Sequence, residues 1–116
     1  MNSNSQGKHA ENFACRFLEQ QGLILIQKNF RTKMGEIDLI MRDGPAVVFV
    51  EVRYRKHSHF GGCAESIDIK KQQKLIKSAS CYLQSHRALD QIPARFDLVF
   101  FDGEMKPHWV KNAFEG

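Results

Sequence analysis

Two short apolar segments, each containing one acidic residue, constrain the fold of this chain more than any other feature. Asp38 lies within the segment 35–41, and Glu51 lies within the segment 46–54. Both segments are too short for typical helices and are rich in the β-branched and apolar residues that favour strands. A carboxylate among buried side chains is costly unless a partner or a cation compensates its charge. Any fold for this chain must therefore compensate two acids on neighbouring strands.

The remaining hydrophobic pattern predicts two helices and further strands. Apolar residues recur at helical spacing over 8–21, and Asp68 is the predicted N-cap of a second helix that ends near His86. Strands are predicted at 23–30, 36–41, 46–54 and 95–101, with a short fifth at 108–110. The order α-β-β-β-α-β, with one more possible strand, predicts an α/β fold in which helices flank a mixed sheet.

Length and composition favour one domain in a reducing compartment. The 116 residues suffice for a single core. Residues 1–6 are polar and are predicted to form a disordered tail, which leaves 7–116 as one domain. Three cysteines without a Cys-x-x-Cys pair, no secretory signal and no long apolar run predict a cytoplasmic protein without a membrane span. The formal net charge of +4 permits a polyanionic partner.

The two acids are predicted to face each other across a hairpin. If the turn is tight, the pairing that opposes Asp43 with Ala46 also opposes Asp38 with Glu51. Two carboxylates directly across an antiparallel pair repel each other, and a hard cation such as Mg²⁺ turns that repulsion into a binding site. Arg53 follows Glu51 by two residues, so it emerges on the same face and suits contact with a phosphoryl oxygen.

Other readings of these acids stay open at this stage. The same register opposes Glu36 with Arg53, and the whole face could be solvated, with such pairs as surface salt bridges. Ile40 and Phe49 lie on this face, however, so it is at least partly covered. Glu11 lies at the edge of the apolar stripe of the first helix, where it could reach the site or remain an ordinary solvated residue.

Four stretches of the chain carry a resemblance to known proteins: 35–40, 48–55, 71–75 and 95–99. Together with the element order, they resemble the PD-(D/E)xK nuclease superfamily and, within it, archaeal Holliday-junction resolvases. More narrowly, the chain is identified as a member of the YraN family of small bacterial proteins. The resemblance implies a restriction-endonuclease-like core that uses Mg²⁺ or Mn²⁺ to hydrolyse phosphodiester bonds of DNA, including structured or branched DNA.

The resemblance also implies roles for individual residues. Asp38, Glu51, Glu11 and the backbone carbonyl of Val52 would bind the metal, and Glu11 matches the first-helix glutamate of the catalytic set in the resolvase-like branch. Arg53 stands where the superfamily usually has lysine; it can stabilise charge on a phosphate but cannot act as a base. The alternative functions are therefore a non-catalytic nucleic-acid-binding module that retains the nuclease fold, or a protein-binding scaffold. A homodimer is expected by analogy with resolvases.

Basic residues near the proposed site favour phosphate contacts and largely sequence-independent DNA binding. They are Arg31, Lys33, Arg53, Arg55, Lys56, Lys70, Lys71 and Lys74. A zinc site at His57, His59 and Cys63 is disfavoured because the spacing lacks a second pair of ligands. The aromatic residues Phe96, Phe100, Phe101 and Trp109 are interpreted as core or partner surface rather than as a platform for base stacking.

Overall fold

The computed structural model describes residues 3–54, 67–104 and 106–115. Its helices are α1 (Ser3–Gln20), α2 (Ile69–Ser85) and the short α3 (Arg87–Asp90). Its strands are β1 (Ile24–Arg31), β2 (Glu36–Asp43), β3 (Ala46–Tyr54), β4 (Ala94–Phe101) and β5 (Pro107–Phe114). Apart from α3, the order is α-β-β-β-α-β-β. The predicted α/β fold class is confirmed, and the arrangement is consistent with a restriction-endonuclease-like core.

The sheet is mixed and runs in the order β1-β2-β3-β4-β5. Strands β3 and β4 are parallel, because the chain returns through α2, and the other neighbours are antiparallel. Alternation along β3 sends Val48 and Val50 into the core beside α1, and Val47 and Phe49 into a second core beside α2. Each face of the sheet is thus covered by one of the two long helices.

The hairpin of β2 and β3 has the predicted register. Asp43 pairs with Ala46, and the ladder continues to the pair formed by Leu39 and Val50. This ladder stops one position before Asp38 and Glu51, so the two acids lie where the hairpin opens. The register predicted for the hairpin is therefore confirmed, and the acids occupy its open end.

Most predicted boundaries agree with the structure within a few residues. Asp68 is the N-cap of α2 and accepts a hydrogen bond from the backbone N–H of Lys71 at 2.8 Å. Helix α1 begins at Ser3, so residues 3–6, predicted to be a disordered tail, are helical. They carry no apolar residue that could reveal a helical period, while an existing helix extends at one hydrogen bond per residue. Strand β5 is longer than predicted.

Two further predictions concern regions or properties outside these elements. The predicted loop at 55–66, with Arg55, Lys56 and the disfavoured zinc ligands, lies outside the described residues. Within the described part of the chain, no helix is both long enough and apolar enough to cross a membrane.

A buried acid that sequence reasoning did not single out fastens β5 to β4. The side chain of Asp97 is fully buried and accepts hydrogen bonds from Arg95, from the indole Nε1 of Trp109 at 2.9 Å and from the backbone N–H of Asn112 at 2.9 Å. Arg95 also bonds Asp43 at 2.8 Å, which ties β4 to the β2–β3 turn. This carboxylate is held by protein donors on several sides, so its role is structural.

Replacing Asp97 by alanine should lower the free energy of unfolding by about 3 kcal/mol, because buried donors lose their acceptor. Urea unfolding followed by circular dichroism measures this loss. The Glu104→Ala variant is the control, since Glu104 is exposed at the β4–β5 turn and should contribute far less. Equal effects of the two substitutions would contradict the structural role of Asp97.

Candidate active site

The candidate site lies at the open end of the β2–β3 hairpin. The backbone N–H of Val52 donates to Asp38 Oδ2 at 2.8 Å. The Asp38 carboxyl group thus accepts the hydrogen bond that a backbone carbonyl of β2 would accept in a regular ladder. Glu51 is 5% exposed, and Asp38 is partly buried. The two carboxyl groups lie close enough for a hydrogen bond between them to affect the pKa of Asp38. The structure therefore brings together the pair of acids predicted from the sequence.

The surroundings of Asp38 favour its protonated form in the metal-free protein. Burial raises its pKa to about 9, and repulsion by Glu51 is the second cause. The hydrogen bond from Val52 favours the charged form but does not offset the other two effects. One acid of the pair thus gives up its charge, which is the expected response of like charges that cannot both ionise.

Glu11 reaches the same site from α1. Burial and the nearby charge of Glu36 raise the pKa of Glu11, while hydrogen bonds from Asn29 and Asp38 oppose that rise. The carboxyl group of Asp38 therefore lies between those of Glu11 on α1 and Glu51 on β3. When the Asn29 amide nitrogen is oriented toward the acids, it donates to Glu36 Oε1 at 2.8 Å and to Glu11 Oε1 at 2.9 Å.

Asn29 is a site residue that sequence reasoning missed. It lies opposite Asp38, between the pairs that Lys28 and Phe30 form with β2, and its φ angle is 54°. Asparagine tolerates this left-handed conformation better than most residues. An asparagine inside a strand was the only available signal, and its partners lie on other elements, Glu36 on β2 and Glu11 on α1.

Two cations contact the carboxylate of Glu51. Arg53 Nε lies 3.2 Å from Glu51 Oε2, and Lys71 Nζ of α2 lies 3.5 Å from the same oxygen. The predicted opposition of Arg53 with Glu36 is not seen, because Glu36 instead lies 3.7 Å from the exposed Arg31. The strands diverge beyond the ladder, which frees Arg53 to fold back on Glu51.

The basic residues of the β1–β2 turn and of α2 lie on neighbouring surfaces. Thr32 Oγ1 and Ser78 Oγ are 2.9 Å apart, and a Cβ at Gly35 would lie 3.6 Å from that of Lys74. The turn therefore packs directly on α2. The predicted nucleic-acid-binding residues on these two elements are exposed or partly exposed: Arg31, Lys33, Lys70, Lys71 and Lys74.

The donor set fits a hard cation held by two protein carboxylates. Among the described residues, no group of three or more His, Cys, Asp or Glu side chains could by itself hold a metal ion. Mg²⁺ commonly binds through one or two carboxylates and completes its coordination with water and substrate phosphates. Asp38 and Glu51 suit that mode, because a cation would relieve their repulsion. Metal binding by Glu11 and by the Val52 carbonyl stays a prediction.

The raised pKa of Asp38 has a consequence for stability. A carboxyl group whose folded pKa lies near 9, above its ordinary value, stabilises the fold at low pH and loses that contribution as pH rises toward 9. The free energy of unfolding of the metal-free protein should therefore fall between about pH 5 and about pH 9. Asp38→Asn should flatten this fall, since the amide cannot ionise.

Urea unfolding with a metal chelator, at several pH values, measures this effect. The Glu104→Gln variant is the control and should keep the pH dependence of the wild type, because Glu104 is exposed at the β4–β5 turn. An Asp38→Asn variant with the same pH dependence as the wild type would show that Asp38 is not forced into its protonated form.

Comparisons with known proteins match nearly the whole chain. The family described as "Uncharacterised protein family UPF0102" matches residues 10–101, a span that includes Glu11, Asp38 and Glu51. A UPF0102 protein of Pseudomonas syringae pv. syringae is 49% identical over 113 residues, covering 94% of this chain and 92% of the relative. One from Stutzerimonas stutzeri is 48% identical over 116 residues, covering 97% of each chain. One from Coxiella burnetii is 51% identical over 109 residues, covering 94% and 91%.

Proposed function

This protein belongs to the UPF0102 family, the YraN-type family predicted from its motifs, and we propose that it is a metal-dependent nuclease that hydrolyses phosphodiester bonds of DNA. The observation that carries this proposal is the closeness of Asp38 and Glu51 at the open end of the hairpin. The pair is unfavourable without a cation, as the raised pKa of Asp38 indicates. Perturbed acids of this kind are more frequent at functional sites than elsewhere.

Asp38 and Glu51 would hold Mg²⁺ or Mn²⁺, with Glu11 beside them. When bound, such a metal activates water and stabilises the negative charge that develops on a phosphate. Val52 fixes the orientation of Asp38 through its backbone N–H. With its amide nitrogen oriented toward the acids, Asn29 would bond Glu11 and limit the positions that this third acid can take.

Arg53 and Lys71 would supply positive charge next to the metal ligands. The planar guanidinium of Arg53 suits two phosphoryl oxygens at once, and the ammonium of Lys71 acts as a compact charge. Lys71 comes from α2, so a lysine stands beside Glu51 even though the third strand carries arginine. These two residues would stabilise the transition state electrostatically.

The substrate surface would extend along the β1–β2 turn and α2. Phosphate contacts by Arg31, Lys33, Lys70 and Lys74 would give affinity that depends strongly on salt and weakly on sequence. The preference for structured or branched DNA rests on the resemblance to resolvases. The cytoplasmic location and the homodimer stay predictions, which cell fractionation and a mass measurement in solution would test.

A non-catalytic DNA-binding module is the second candidate function. It is favoured by the position of Arg53, which replaces the usual lysine of the third strand. It is also favoured by the two ion pairs of Glu51, which already balance its charge without a metal. Under this alternative the basic surface would bind DNA, and the acids would serve only to position its cations.

Cleavage assays on single-stranded, linear duplex and four-way-junction DNA, with Mg²⁺ and with Mn²⁺, separate the two functions. We expect cleavage by the wild type, and a loss of at least about 100-fold in Asp38→Asn and in Glu51→Gln. Glu104→Gln is the matched control, the loss of an exposed carboxylate, and should retain activity. DNA binding without cleavage of any substrate would instead support the non-catalytic module.

The role of Lys71 can be separated from general DNA binding by comparison with its neighbour Lys70. Both Lys71→Ala and Lys70→Ala should weaken DNA binding and reduce its salt dependence. Only Lys71→Ala should also lower the rate constant of cleavage, by about tenfold or more, because Lys71 contacts Glu51 and Lys70 does not. Single-turnover cleavage at saturating protein measures this rate constant. Equal rate constants in the two variants would limit Lys71 to binding.

A further inference from the structure

Three side chains form a row that leads from the candidate site to the edge of the sheet. Arg53 of β3 pairs with Phe100 of β4, and Phe100 pairs with His108 of β5. Phe49 and Phe100 pack in the same core beside α2. Phe49, Glu51 and Arg53 alternate along β3 and share one face, so the row lies on the α2 face of the sheet. Neighbouring strands are about 4.8 Å apart, so His108 lies roughly 10 Å from Arg53.

The outer two members of this row are stacked rings. The ring centroids of Phe100 and His108 are 4.7 Å apart, and their planes differ by 12°. The His108 side chain is 43% exposed. Its Nε2 lies 3.2 Å from Asp102 Oδ2, and Asp102 also accepts from the backbone N–H of Glu104 at 2.9 Å. The imidazole is therefore held by the stacked ring of Phe100 and by the carboxylate of Asp102.

The stack ends at the sheet edge. Strand β5 is the last strand of the sheet in the described residues, so no neighbouring strand supplies a ring on the far side of His108. The face of the His108 ring that points away from Phe100 is therefore not covered by another strand of the described sheet. Among the described residues, the other stacked histidine is His86, whose ring lies 4.0 Å from that of Tyr82. His86 lies at the end of α2 opposite to Lys71, the residue that contacts Glu51.

We propose that the outer face of His108 binds an unpaired nucleobase, which stacks as the third ring after Phe100 and His108. The inference rests on the proposed function and specifies its substrate: a nucleic acid with unpaired bases near the phosphate held by Arg53. A planar aromatic ligand matches the stack, and a phosphate matches Arg53 at its inner end. Base stacking tolerates every base, because each has a π-face, so this subsite selects strand state rather than sequence.

Fluorescence anisotropy tests the proposal with two labelled probes, a short single-stranded oligonucleotide and a blunt duplex of the same sequence, with Ca²⁺ in place of Mg²⁺. His108→Ala should weaken binding of the single strand about tenfold and leave the duplex unchanged. His108→Phe should retain single-strand affinity, because it keeps an aromatic ring. His86→Ala is the matched control, a stacked histidine away from the site, and should bind as the wild type does.

An unchanged single-strand affinity in His108→Ala would overturn the proposal. So would an equal loss on the duplex, an equal loss in His86→Ala, or failure of the wild type to bind the single strand. The result is independent of cleavage. Selective loss in His108→Ala by a protein that cuts no DNA would support the stacking subsite and refute the nuclease. DNA cleavage by the wild type, with unchanged single-strand binding in His108→Ala, would support the nuclease and refute the stacking subsite.

Discussion

The repulsion between Asp38 and Glu51 is the interaction on which the candidate site depends. The β2–β3 ladder ends one position before the two acids, so they meet where strand pairing no longer fixes the backbone. Burial prevents water from screening their charges, and burial together with the charge of Glu51 raises the pKa of Asp38 to about 9. A divalent cation is the simple replacement for that proton, and the basic residues around Glu51 and on α2 suit the phosphate that would accompany it.

A second buried acid in the same sheet shows what a structural carboxylate looks like. Asp97 is surrounded by the guanidinium of Arg95, the indole of Trp109 and a backbone N–H, all provided by β4 and β5. Asp38 has one backbone donor and faces other carboxyl groups instead. The fold thus compensates one acid completely and leaves the other dependent on a proton or a cation. This contrast supports a functional rather than a structural role for the pair at the hairpin.

Local patterns made much of the fold and part of the site predictable from the sequence. The tight turn fixed the hairpin register, which aligned Asp38 with Glu51, and Asp68 marked the start of α2 through a local hydrogen bond. The contacts of Asn29 and Lys71 could not be predicted, because their partners lie on other elements and depend on how the strands diverge. The same divergence explains why Arg53 contacts Glu51 rather than Glu36.

The most direct test of the shared cation is an anomalous difference map from crystals grown with Mn²⁺. The account predicts one peak between Asp38 and Glu51, about 2.1 Å from an oxygen of each carboxylate, and no such peak in Asp38→Asn crystals. A map of the wild type at saturating Mn²⁺ with no peak between these two side chains would contradict the account.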